Sequence, residues 1–207
     1  MLSLEFGTKL KFNERILKMR FTEKDFEKFE VSSEKLAPWL IGKILYRKLN
    51  NGNILHFRIL ETEAYGDKDS ATHANKYKTG NATITQRMEG GTIYVHYKSG
   101  NYSGSSFDIV AGKKGEAESV LIRGAVNINT GEKYRKIRLL GEALYVDYEK
   151  LNQVSILKSD KMWLEDDGFV TEGKIMKKTR IGLDTAKDIC NPDKKRLLRF
   201  VLNEKEF

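Results

Sequence analysis

Two apolar runs, Lys43 to Leu49 and Ile54 to Tyr65, are separated only by Asn50-Asn51-Gly52-Asn53. Asn-Gly between alternating apolar segments is the strongest short-range signal for a tight hairpin turn, so the pair reads as a β-hairpin and commits the chain to a sheet. Further strands are predicted at Thr92 to Tyr97, Ser105 to Val110 and Ser119 to Val126, with short strand-like runs around Ile156, Phe169-Val170, Ile175-Met176 and Arg199 to Leu202. Helices fall at the margins. Phe21, Phe26 and Phe29 recur near helical spacing behind a Thr22 cap, a second helix runs from Ser33 to about Leu40 with Pro38 in its first turn or so and Gly42 as its stop, and Tyr134 to Leu151 is a charged, helix-compatible segment. Strands grouped together with helices at the edges imply an α+β fold around a mostly antiparallel sheet with peripheral helices. With 207 residues, 40% of them hydrophobic, and no Pro/Gly/Ser linker, a single domain over 1–207 is expected.

Composition narrows the partners. The longest apolar runs, such as Leu36 to Leu45, are broken by charge, and the first residues lack the plan of a secretory signal, so no membrane association is expected. The single cysteine, Cys190, excludes an internal disulfide, and His56, His73 and His96 lack metal-ligand spacing. A reducing, cytoplasmic setting without metal or cofactor follows. The net charge of +8 suits a polyanion, because each neutralised phosphate releases condensed counterions; taken alone it is equally consistent with a merely solvated basic surface. A monomer is expected, since no coiled-coil pattern or apolar stripe is visible.

Glu61-Thr62-Glu63-Ala64-Tyr65 ends the second hairpin strand. Strand side chains alternate, so Glu61, Glu63 and Tyr65 share one face, with the carboxylates roughly 6.5–7 Å apart at the backbone. Mutual repulsion would raise one pKa into a range suited to proton transfer; a solvated face neutralised by a neighbouring Lys or Arg fits the same spacing. The following stretch, Gly66 to Gly91, is polar and long for a structureless connection, which marks it as a cover for a site.

Leu36 to Leu45, Ile59 to Tyr65, Asp69 to His73, Gly91-Thr92-Ile93-Tyr94-Val95, Val120-Leu121-Ile122-Arg123, Arg180-Ile181-Gly182-Leu183 and Arg199-Phe200 resemble, in order, the signatures of the alkyladenine (3-methyladenine) DNA glycosylases. The resemblance implies that the chain flips damaged purines out of double-stranded DNA into an aromatic pocket and hydrolyses their N-glycosidic bond. It makes Glu63 the general base that activates water and Arg123 a residue that places that water. It puts Tyr65 and His73 on the two faces of the flipped base, His96 as a third wall, and the backbone carbonyl of Leu202 as a further contact.

Two positions depart from the pattern. The family's bulky wedge aligns with Ser99, which is too small, leaving Asn101 or Tyr102 as candidates; the family's guanine-rejecting asparagine aligns with Asp108, which cannot donate when ionised. Lys76, Lys78, Arg87 and Lys98 are candidate phosphate contacts around the groove, and Lys113 and Lys114 fit either a phosphate grip or a solvated turn. Rival readings are a DNA-binding module that has lost catalysis, a sugar hydrolase using Glu61 and Glu63, and a lyase with a lysine nucleophile.

Overall fold

The computed structural model, which describes residues 19–27, 32–77, 80–96, 106–171 and 173–203, is organised around the hairpin. In chain order its elements are β1 (Met19–Arg20), α1 (Glu23–Glu27), α2 (Ser33–Leu40), β2 (Ile44–Lys48), β3 (Ile54–Tyr65), α3 (His73–Lys76), α4 (Asn81–Thr85), β4 (Ile93–Val95), β5 (Phe107–Val110), β6 (Ser119–Asn127), β7 (Lys133–Tyr134), α5 (Ile137–Ala143), α6 (Tyr148–Leu151), β8 (Met162–Asp166), β9 (Ile175–Lys178), α7 (Asn191–Lys195) and β10 (Arg199–Leu202). The Leu49 N–H donates to the Asn53 carbonyl at 2.8 Å and the Gly52 N–H to the Leu49 carbonyl at 3.0 Å, with Gly52 at φ +86°. The connection is thus a three-residue loop closing on a left-handed glycine rather than a two-residue turn.

The strands form one curled antiparallel sheet in the order β1-β8-β2-β3-β6-β5-β4, with β9 and β10 added beside the far half of β3 and β7 beside β6. Strand β3 is the hub: its first half pairs with β2, its second half with β10, and its other edge with β6. Between Ile59 and Thr62 the β3–β6 register is irregular, leaving Leu60 and Arg123 out of step on their strands. Such a bulge re-aims side chains. Before it, Phe57 and Ile59 lie in the main core; beyond it Leu60 and Ala64 do, and the Thr62 hydroxyl donates to the Ala37 carbonyl of α2. Glu61, Glu63 and Tyr65 thereby turn to the opposite face. Gly124 sits opposite Glu61, where a Cβ would come within 3.2 Å of the Glu61 Cβ.

Helix α2 covers the core face with Leu36, Ala37 and Leu40, each large apolar side chain contributing about 1.5–3 kcal/mol. Pro38 falls in its second turn, where the missing N–H would have bonded to the carbonyl of exposed Glu34, a place where water can substitute. Around Ile156 and Phe169-Val170 no strand forms; Ser155 makes a single bridge to Thr92, and the strand beside β2 is Met162–Asp166. The 66–91 stretch is not structureless but carries α3 and α4. Among the described residues no helix is long and apolar enough to cross a membrane.

Candidate active site

Register places a row of side chains across the sheet: Tyr94 opposite Asp108, Asp108 opposite Leu121, Leu121 opposite Glu63, and Glu63 opposite Arg199. Residues directly opposite in antiparallel strands share a face, and the middle of this row, Asp108, Leu121 and Glu63, floors a cavity of about 240 Å³. Its carboxylates, Glu63 and Asp108, are two strand spacings apart, roughly 10 Å, with apolar Leu121 between them. A larger groove of about 610 Å³, lined by Phe26, Met88 and Leu157, carries the acids Glu23, Glu27 and Glu89, all exposed, together with Lys113 and Lys158.

Glu63 is fully buried yet lines the cavity. Its Oε2 accepts the Tyr65 hydroxyl at 2.9 Å and its Oε1 the Ile181 backbone N–H at 2.8 Å. Arg123 Nε lies 3.5 Å from the same Oε1 and 3.2 Å from Glu61 Oε1. Burial pushes the Glu63 carboxyl above its ordinary value, against the downward pull of Arg123, Ile181 and Tyr65, and with Glu61 adding a small upward push. Burial pushes the Tyr65 phenol up as well, so it keeps its proton and donates. The two carboxylates do share a face, but it is not solvated. Glu61 is taken up by Arg199 at 3.0 Å, Arg123 and, at 3.6 Å, Arg135, and does not line the cavity.

The opposite wall comes from the 66–91 stretch and from His96, which follows β4. Helix α3 presents His73, whose Nδ1 lies 3.0 Å from the Tyr94 hydroxyl; its ring centroid is 4.8 Å from that of His96. Burial first, then the neighbouring His96 and Lys76, lower the His73 pKa to about 4, so it is neutral near pH 7. His96 Nε2 meets Asp108 Oδ1 at 2.7 Å, and its Nδ1 meets the Ser106 hydroxyl at 3.0 Å. Asp108 Oδ2 accepts the Ser119 hydroxyl at 2.8 Å and the Gln86 amide at 3.5 Å. Burial is the largest influence on Asp108 and works upward, yet the two histidines and Ser119 together hold its carboxyl below the usual range. Gln86 also accepts the Ala74 N–H at 2.7 Å, tying α3 to the floor.

Of the residues singled out from sequence, Glu63, Tyr65, His73, His96, Asp108 and Arg123 all line this one cavity, as does Lys76. Leu202 does not: it is a core residue in β10, paired with Ile175. Arg87 holds the loop together, donating to Asp67, Asn75 and the Gly115 carbonyl. Lys78, Lys98, Ser99, Asn101 and Tyr102 lie outside the described residues. Sequence reasoning missed Ile181, which acts through its backbone N–H; Gln86 and Leu121, which look like ordinary strand or loop residues; and Arg180. Fully buried Arg180 ion-pairs with Asp69 at 2.7 Å, donates to the carbonyls of Ala64 and Asp193, and lies 4.7 Å over the Tyr65 ring. Arg180 and Ile181 fall in the Arg-Ile-Gly-Leu run and Leu121 in the Val-Leu-Ile-Arg run, but neither run says what they do.

Comparison with known proteins fits this geometry. A Clostridium perfringens protein named "Putative 3-methyladenine DNA glycosylase" is 31% identical over 195 residues, covering 83% of this chain and 91% of its own. Proteins of the same name from Natranaerobius thermophilus (29%, covering 88% and 96%) and Psychrobacter cryohalolentis (31%, covering 80% and 85%) are similar in extent. Residues 27–206 match the family described as methylpurine-DNA glycosylase, and over that span, which includes every wall of the cavity, the chain belongs to the methylpurine-DNA glycosylase family.

Proposed function

We propose that the protein is a DNA glycosylase that takes a damaged purine into the cavity and hydrolyses its N-glycosidic bond, leaving an abasic site. The observation that carries this reading is Glu63: a buried carboxylate of raised pKa, oriented by Tyr65 and Ile181 and open to a cavity with Tyr65, His73 and His96 on its walls. As general base it takes a proton from a water that attacks the anomeric carbon, and its charge stabilises the oxocarbenium-like transition state. Arg123 keeps Glu63 ionised enough to act and holds the water's side of the carboxylate. Aromatic faces suit a flipped base and attract the positive charge of an N-alkylated purine.

Glu61 and Glu63 stand on one strand and share Arg123, which does not suit a sugar hydrolase needing carboxylates on opposite sides of the bond. Lys76, the lysine of the cavity wall, is paired with Asp188 at 2.8 Å, which raises its pKa and keeps it protonated, a poor Schiff-base nucleophile. This favours hydrolysis without strand cleavage. Exposed Lys136 and Arg138 flank cavity-lining Ile137, and exposed Lys187 follows Ala186, so the mouth has cations for phosphates. A monomer suffices, since every wall comes from one chain.

The test is base release from duplexes carrying one 7-methylguanine, 3-methyladenine analogue, ethenoadenine or hypoxanthine, read with and without alkali. Alkali-dependent cleavage by the wild type and none by Glu63→Gln is expected. Binding without release from any of them would move the assignment to a non-catalytic DNA-binding module.

A further inference from the structure

Asp108 has no counterpart in the reaction chemistry, yet it is a nearly fully buried carboxylate in the cavity floor. Every polar group around it donates: His96 Nε2, the Ser119 hydroxyl and, more distantly, the Gln86 amide. An ionised carboxylate accepts about four hydrogen bonds, and three are taken, which leaves one acceptor position and no donor. That position lies two strands away from Glu63 across Leu121. A ring held over Leu121 with its sugar at Glu63 therefore points its far edge toward Asp108.

We infer that Asp108 reads this far edge as an obligate acceptor, so that the cavity selects purines presenting an N–H donor there, as N-alkylated guanine does, over purines whose edge offers only acceptors, as ethenoadenine does. The inference rests on the glycosylase reading and gives that site its substrate class. A purine whose edge offers only an acceptor would set a lone pair against the carboxylate and leave Asp108 without its last partner, and buried polar mismatches of this kind discriminate strongly. The carboxyl, held below its usual range, keeps this character across neutral pH. Two carboxylates, Glu63 and Asp108, on either side of Leu121 in the cavity floor also favour a base that is already cationic. Normal guanine carries the same donors, so its rejection has to come from its neutral, slow-leaving ring and not from a clash at Asp108.

The experiment compares single-turnover release of 7-methylguanine and ethenoadenine by the wild type and by Asp108→Asn, taking the ratio of the two ratios so that intrinsic lability cancels. The 7-methylguanine preference should fall by about tenfold or more in Asp108→Asn, whose amide can donate; an unchanged ratio overturns the inference. Should Asp108→Asn fail to fold, calorimetric binding of the free bases to wild-type protein decides it: 7-methylguanine should bind about tenfold tighter than ethenoadenine, and equal affinities overturn it. Release of neither lesion by the wild type would instead overturn the glycosylase reading, and this inference with it.

Discussion

Arg180–Asp69 and Arg123–Glu63 are both buried arginine–carboxylate contacts, and they are built differently. At Arg180–Asp69 both side chains are wholly enclosed and 2.7 Å apart; Asp69 also faces Arg196 and accepts the Ala71 N–H, while Arg180 reaches two carbonyls and the Tyr65 ring. At Arg123–Glu63 the separation is 3.5 Å, the arginine is shared with Glu61, and the carboxylate opens onto a cavity. Both arrangements bear the desolvation cost of buried charge. The close pair spends its charge on holding β3, the 66–72 segment and α7 together. The loose one leaves Glu63 with a raised pKa and unused basicity beside the space where a water can stand.

The sharpest way to break the loose contact is Glu63→Gln. Base release should fall by about 10²–10⁴-fold while lesion binding persists. The melting temperature should hold or rise, because a carboxyl whose folded pKa is raised penalises the folded state above that pKa; the gain should fade as pH falls toward the ordinary glutamate value. A large fall in melting temperature would contradict the assignment of Glu63 to chemistry. Arg180→Ala breaks the other contact and should cost about 3–5 kcal/mol of stability by denaturant unfolding, since it strands Asp69. A loss under 1 kcal/mol would show that water or Arg196 replaces it.

Smaller effects sharpen the contrast. The active form of Glu63 is ionised, so base release should decline as pH falls through its raised pKa, placing the acid limb of the rate profile above 4.5. Tyr65→Phe removes a hydrogen bond that lowers that pKa, so the limb should move to higher pH, whatever happens to the rate itself. A limb that stays put would mean that Tyr65 packs without tuning. Binding to undamaged duplex should weaken steeply with salt, given the +8 charge; a flat salt dependence would remove the phosphate contacts from the mouth.

What could be read from sequence was what is local. Period-two alternation and an Asn-Gly turn found β2 and β3 to within a residue, and the same alternation put Glu61, Glu63 and Tyr65 on one face. What depended on distant pairing was lost. Met162–Asp166 becomes a strand because β2 offers it an edge, whereas the segment at Ile156, apolar enough to suggest a strand, pairs with 91–93 only as far as one bridge, Ser155 to Thr92. The alignment of the Arg199-Phe200 piece points to the backbone carbonyl of Leu202, whereas along β10 the Leu202 side chain lies in the core and does not line the cavity. Ile181 contributes a backbone N–H, which no side chain advertises, and an arginine in a lysine-rich stretch gives no sign of being as buried as Arg180.

The cross-strand row from Tyr94 to Arg199 works as a ruler whose divisions are backbone hydrogen bonds. No point substitution can lengthen it, because strand spacing does not depend on which side chains stand on it. On the proposed function, lesions too wide for the interval between Glu63 and Asp108 are therefore beyond the reach of ordinary mutational drift in the floor. Enlarging the repertoire toward bulky adducts calls for insertions or deletions in the segments that roof the cavity, and directed evolution of this scaffold belongs there.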